Sequence, residues 1–197
     1  MISVRRARPS DAIAMGAVHV AAWRSTYPGI LPDSFLARLS VPRQAAHYDH
    51  AIRAGMPVFV AAVSGPEALP GTTPRVIGFA TGGRGRAGSI GGKRLGEGEI
   101  ETLYVLDDFR DRGVGRRLMR ATALQLADAG CRSIFLWVLR DNPSRWFYQR
   151  LGGRAVAESV TEVGGQALIQ TAFVWDPIEK LLQASPQASL VADRRPH

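Results

Sequence analysis

One stretch limits the fold of this chain more than any other: EIETLYVLDDFRDRGVGRRLMRAT, residues 99–122. It reads as an apolar strand (103–106), a short polar turn with Gly113 and Gly115, and an amphipathic helix through Leu118, Leu124 and Leu126. A strand feeding a glycine turn and then a helix makes an anion site. Glycine lets the backbone approach a ligand, and the first amide N–H groups of a helix are unpaired donors at the positive end of its dipole. Arg110, Arg112, Arg116 and Arg117 add charge around those donors, which suits a polyphosphate. The turn has neither the Gly-Lys-Ser/Thr of a P-loop nor the GxGxxG of a dinucleotide fold.

The flanking sequence supplies the rest of a mixed α/β domain. Residues 2–7 alternate as a first strand, and Ser10 is expected to cap a helix that buries Ile13, Ala17 and Ala21 and runs to about Trp23. Tyr27-Pro-Gly-Ile-Leu-Pro breaks it, and shorter helices are expected over 33–39 and 42–54. Strands follow at 57–63 and 75–81, separated by a turn over 65–74. Residues 82–98 form a glycine-rich loop with Arg84, Arg86, Lys93 and Arg94, expected to be mobile because it buries too little to offset its ordering entropy. A second central strand is expected at 134–139. Asn142 and Pro143 then open a helix carrying Trp146, Phe147, Tyr148 and Leu151, which Gly152-Gly153 ends. Segments 155–163 and 167–175 flank Gly164-Gly165 as an antiparallel hairpin. The polar, proline-containing residues 182–197 read as a loosely ordered tail, which leaves 1–181 as one domain.

Composition narrows the function classes. At 197 residues the chain suits one domain, and a single cysteine, Cys131, excludes a disulfide framework and any cysteine-based zinc cluster. No run approaches ~18 apolar residues, and Arg5, Arg6 and Arg8 interrupt the start, so a soluble cytoplasmic protein without a membrane partner is expected. The net charge of +8 invites nucleic acid. An RNA-binding reading would use the Arg/Gly loop 82–98, but that loop lacks the aromatic residues needed to stack bases, so nucleic acid is disfavoured. His47 and His50, at i and i+3, have no third ligand in view, and no metal is expected.

Two segments together carry a family resemblance. Arg110-Asp-Arg-Gly113-Val-Gly115, directly after a strand, resembles the R/Q-x-x-G-x-G/A acetyl-coenzyme A signature of the GNAT family of N-acetyltransferases, and LRDNPSRWFYQRLGG (139–153) resembles a second family segment. The likeness runs over roughly residues 2–175. It implies a central mixed sheet of about seven strands flanked by helices, with two parallel central strands splayed where coenzyme A enters. It also implies acetyl-CoA as co-substrate, no metal, and direct transfer of an acetyl group to a primary amine on a small molecule or a peptide N-terminus. Homodimers are common in that family.

The resemblance assigns residues as well. Backbone groups of Arg110, Asp111, Arg112, Gly113, Val114, Gly115 and Arg116 would take the pyrophosphate, those of Leu103, Tyr104 and Val105 would pair with the pantetheine arm, and Asn142 would contact that arm. The oxyanion would meet a backbone N–H near Val105, where family members often bulge the strand. Glu99 stands eleven positions before Arg110, the spacing of the catalytic glutamate in the histone-acetylating branch, and ranks first as base. Glu101 is the alternative. Period two puts both on one face with Leu103 and Val105 unless a bulge intervenes. Tyr148, six residues after Asn142 where many branches have seven, is the candidate acid for the leaving thiolate. Trp137 stands where the branch acting on ribosomal-protein N-termini has its base, which counts against that activity. The amine would meet Trp23, Arg24 and Tyr27. A coenzyme A-binding regulatory domain without turnover is the third reading.

Overall fold

The computed structural model describes residues 1–64, 74–85, 89–90 and 93–185. Strand β1 (Ile2–Arg6) leads through helices α1 (Ala12–Thr26), α2 (Asp33–Ala37) and α3 (Val41–Arg53) to β2 (Val58–Val63) and β3 (Arg75–Arg84). A two-stranded ribbon, β4 (Ser89–Ile90) and β5 (Lys93–Arg94), precedes β6 (Gly98–Val105), α4 (Val114–Asp128) and β7 (Ile134–Leu139). Helix α5 (Arg145–Arg150), the hairpin β8 (Arg154–Val163) and β9 (Gln166–Trp175), and α6 (Glu179–Ala184) complete the chain. Seven strands form one mixed sheet, as expected, in the order β1-β2-β3-β6-β7-β9-β8.

Helices cover both faces of this sheet. On one face Met15, Val18, Tyr48 and Ala51 from α1 and α3 bury Val58, Val60, Val76 and Phe79. On the other, Val114 and Leu118 of α4 pack on Ala61, Ile77 and Ala80. Farther along α4, Met119, Ala123 and Leu126 meet Ile134, Leu136, Phe173 and Trp175. Each such fully buried side chain contributes roughly 1.5–3 kcal/mol, so the two helical layers together hold the central strands between them.

The expected face of α1 is wrong. Ile13 is 64% exposed, Ala17 and Ala21 are also exposed, and the helix buries Met15, Gly16, Val18, His19 and Ala22 instead. Its sequence is apolar around most of the circumference, so periodicity selects no stripe. Contact with α3 decides the matter: a Cβ on Gly16 would lie 2.6 Å from the Val41 carbonyl oxygen and 2.9 Å from the Ala45 nitrogen. Nor does Ser10 cap the helix. Pro9–Asp11 forms a 3₁₀ turn in which the Asp11 carboxylate accepts the Arg8 N–H at 2.7 Å and the Arg5 guanidinium at 2.7 and 2.9 Å.

Three further differences bear on the site. Strand β3 runs on to Arg84, and β4 pairs with β5, so the stretch 82–98 is partly strand; residues 86–88 and 91–92 lie outside the described residues. Helix α6 carries regular structure past 181, and residues 186–197 of the expected tail lie outside the described residues. Strand β6 bulges at Glu101: Thr102 pairs with Thr81 and Ile100 with Gly82, so Glu101 is the extra residue, while the register from Leu103 to Val105 is unbroken. The bulge therefore lies upstream of Val105, where it was expected.

Candidate active site

Strands β6 and β7 are parallel but pair at only two positions, Gly98 with Ile134 and Glu99 with Phe135. Beyond those pairs they separate, and a cavity of about 660 Å³ occupies the gap. Leu103, Tyr104 and Val105, beyond the last pair with β7, line it on one side and Trp137, Val138 and Leu139 on the other. An extended ligand arm can pair with such a strand edge as an added strand would.

At one end the cavity meets the turn before α4. Gly113 has φ +72°, a left-handed conformation that glycine adopts without strain, and it places the first amides of α4 toward the cleft. Arg110, Asp111, Gly113, Val114, Gly115 and Arg116 all line this end. Arg112 does not; its guanidinium lies over the Phe109 ring at 5.5 Å. Arg110 pairs with Asp107 at 2.8 Å and donates to Thr26 Oγ1 at 2.9 Å, while Ser25 Oγ donates to Asp107 at 3.1 Å. The last turn of α1 is thus tied to the turn.

Helix α5 supplies the next wall. Asn142 Oδ1 accepts the Ser144 N–H at 2.8 Å, and Asn142 Nδ2 donates to the Tyr27 hydroxyl at 3.0 Å. Both ends of this amide are engaged inside the protein, and the residue also lines the cavity. Tyr148 lines it as well despite the short spacing from Asn142. Burial pushes the Tyr148 phenol well above its ordinary range, with the Tyr27 phenol adding to the shift, so it stays protonated. A Cβ on Gly115 would stand 3.2 Å from Phe147 Cζ, which shows how closely α4 and α5 approach.

The far end opens on the side of the sheet covered by α1. The bulge moves Ile100 to the α4 side with Leu103, and Glu99 to the side of Tyr104, so the expected sharing of a face with Leu103 and Val105 does not hold. Glu101 lines the cavity; Glu99 does not, and sits half-buried behind it. Burial raises the Glu99 pKa, and the neighbouring Glu101 carboxylate raises it further. Trp23 and Tyr27 line this end, and their rings meet edge-on with centroids 5.0 Å apart. Arg24 does not line it. Its guanidinium donates to the carbonyls of Leu36, Ala37 and Leu39 at 3.1, 3.1 and 3.3 Å and holds the loop around α2. His19 backs the wall, ring against Trp23 and Tyr104, with Nδ1 2.6 Å from the Tyr48 hydroxyl; burial, helped by His47, lowers its pKa to about 4.

Several lining residues carry no local signal in the sequence. Thr161, Val163 and Gln170 come from the β8–β9 hairpin, about thirty residues beyond Trp137, and reach the cavity only because β9 pairs beside β7. Trp137 was readable in part: alternation along β7 sends Ile134, Leu136 and Val138 into the core under α4 and leaves Phe135, Trp137 and Leu139 on the opposite face. Cys131 is a buried free thiol whose pKa is pushed up by burial, remote from the residues that line the cavity.

Known proteins share this fold. The chain is 32% identical over 181 residues to the uncharacterised N-acetyltransferase YuaI of Bacillus subtilis, covering 92% of this chain and 96% of that one. An N-acetyltransferase of Staphylococcus aureus superposes with a TM-score of 0.63 at 19% identity, over 89% of this chain and 98% of that chain. The Salmonella typhimurium protein YncA, solved with its cofactor acetyl-CoA, gives 0.61 at 22% identity over 89% and 93%. PaiA N-acetyltransferase of Thermoplasma acidophilum, solved with coenzyme A, gives 0.59 at 17% identity over 87% and 98%. The sequence model of the acetyltransferase (GNAT) family matches residues 23–153, which span the splayed strands, the glycine turn and α5. The chain belongs to the acetyltransferase (GNAT) family.

Proposed function

We propose that the protein transfers an acetyl group from acetyl-CoA to a primary amine, without a covalent acyl-enzyme. The observation that carries this reading is the parting of β6 and β7 around one continuous cavity, which ends at the amides of α4 on one side and at Glu101 on the other. The residues fit coenzyme A. Helix-terminal N–H groups with Arg110 and Arg116 suit its pyrophosphate, and the strand edge at Leu103–Val105 suits its pantetheine arm. Bound there, acetyl-CoA supplies the activated acyl group.

The chain's own part is binding, orientation and proton handling. An ammonium entering from the far end meets Glu101, and its proton passes to the Glu101–Glu99 pair, where mutual repulsion and burial keep Glu99 more basic than an ordinary glutamate. The free amine lone pair then forms the N–C bond as the C–S bond breaks, and the nitrogen, positive once acylated, releases its second proton to solvent. The departing sulfur takes a proton from the Tyr148 hydroxyl, which lines the cavity; burial makes this phenol a weaker acid than usual, so reprotonation from solvent must accompany the transfer. Tyr148 is restored from solvent, and the products are the N-acetyl amine and the free thiol.

Calorimetric titration with acetyl-CoA and a free-thiol assay over an amine panel test the proposal. We expect one-to-one binding and amine-dependent thiol release. Lack of acetyl-CoA binding would sink it, and binding without turnover of any amine would favour a regulatory domain.

A further inference from the structure

Resting on the acyltransferase reading, we infer that the amine substrate is a compact aryl or alkyl amine without a carboxylate. The charge distribution around the cavity argues for this. All three cations that line it, Arg110, Arg116 and Arg150, belong to the turn, α4 and α5, on the coenzyme A side. At the opposite end the only charged lining group among the described residues is Glu101. Arg24, the nearest cation on α1, is committed to three backbone carbonyls. A substrate carboxylate there would face the like charge of Glu101, and among the described residues no cation lines that end to meet it.

The remaining surface at that end is aromatic and uncharged. Trp23, Tyr27 and Trp137 supply ring faces for an apolar body or its ammonium, and Gln170 and Thr161 supply neutral polar contacts. On one side the walls are joined: ring atoms of Phe35, in α2, come within 2.7 Å of where a Cβ on Gly164 would stand, in the cluster that also holds Trp23, Tyr27 and Val163. A small amine is easier to seat between those walls than a long polyamine or a folded protein terminus.

The test compares phenethylamine with L-phenylalanine, which share a body and an amino group and differ in the carboxylate, and adds spermidine as the extended polycation. Binding of each to the protein is measured by calorimetry with and without coenzyme A, beside kcat/KM from thiol release. Phenethylamine is expected to exceed phenylalanine by about 100-fold or more in both readouts. Thr161→Arg, which installs a cation at the chamber wall, is expected to narrow that ratio at least about tenfold. Phenylalanine or spermidine matching phenethylamine, or no detectable phenethylamine binding, would overturn the inference. Acetyl-CoA titration of the same samples separates the failures: without acetyl-CoA binding the acyltransferase reading fails, whereas acetyl-CoA binding with phenylalanine preferred removes the substrate class alone.

Discussion

At the α4 end of the cleft the donors are main-chain amides, set by one left-handed glycine and a helix start and reinforced by Arg110 and Arg116. At the α1 end every polar group that faces the cavity with a charge or ring is a side chain, brought together from β6, β7, β9 and α1. The first end is a local device of about six consecutive residues and recognises a group common to all coenzyme A esters. The second is assembled from segments more than a hundred residues apart, so it can change by single substitutions without loss of the fold. Their charges are opposite as well, positive for the pyrophosphate and negative for an ammonium. On the proposed reading, this polarity sets which ligand enters from which side.

The contrast can be broken most severely at the cofactor end. Gly115→Trp would fill the pyrophosphate seat and press on Phe147, already 3.2 Å from the Cβ position, and is expected to weaken acetyl-CoA binding at least about 1,000-fold by calorimetry, whereas Gly115→Ala should retain most of it. The acceptor end is broken by Glu101→Gln, with kcat/KM expected to fall about 100-fold while acetyl-CoA affinity stays within about twofold. Its pH profile is more diagnostic. The Glu101 charge helps to raise the Glu99 pKa, so removing it should move the acid limb of residual activity to lower pH. An acid limb that stays in place would show that Glu99 does not titrate in the reaction.

A smaller effect distinguishes the walls by stability. The His19 pKa falls from 6.5 unfolded to about 4 folded, so between those values the unfolded chain binds a proton that the native wall refuses. Stability should therefore decline as pH drops from about 6.5 toward about 4, read as a falling Tm, and His19→Asn should flatten that slope. The smallest effect concerns the tie between the ends. Thr26→Val removes the bond from Arg110 to α1, worth about 0.5–1.5 kcal/mol, and should change acetyl-CoA affinity and amine KM together by a few fold. A change confined to one of them would show that the ends act independently.

What could be read from the chain follows the same division between local and assembled. The expected helix opening at Asn142-Pro143 is displaced, since Asn142 Oδ1 accepts the Ser144 N–H in a turn and α5 begins at Arg145, but the turn from Arg110 to Arg116 declares itself because its geometry depends on neighbours in sequence. So does the hairpin at Gly164-Gly165, where both residues take positive φ, at +62° and +80°. The mixed α/β class was legible from the order of such elements, and the seven-stranded sheet from the family resemblance. The buried face of α1 was not, because its apolar residues circle the helix and only packing against α3 selects among them.

Sequence alone thus determined the strand–turn–helix that makes an anion seat and the element order, and with the family resemblance it named Glu99, Glu101 and Tyr148 as candidates. Tertiary structure decided where they stand. The bulge at Glu101 turned Glu99 out of the cavity wall and brought Glu101 into it, since one extra residue reverses the alternation of a strand. Three backbone carbonyls around α2 claimed Arg24. The pairing of β9 with β7 delivered Gln170 to a chamber that no spacing in the chain foretells. Backbone conformation answers to adjacent residues, whereas the lining of a cleft answers to contacts between distant ones, and only the folded chain holds those.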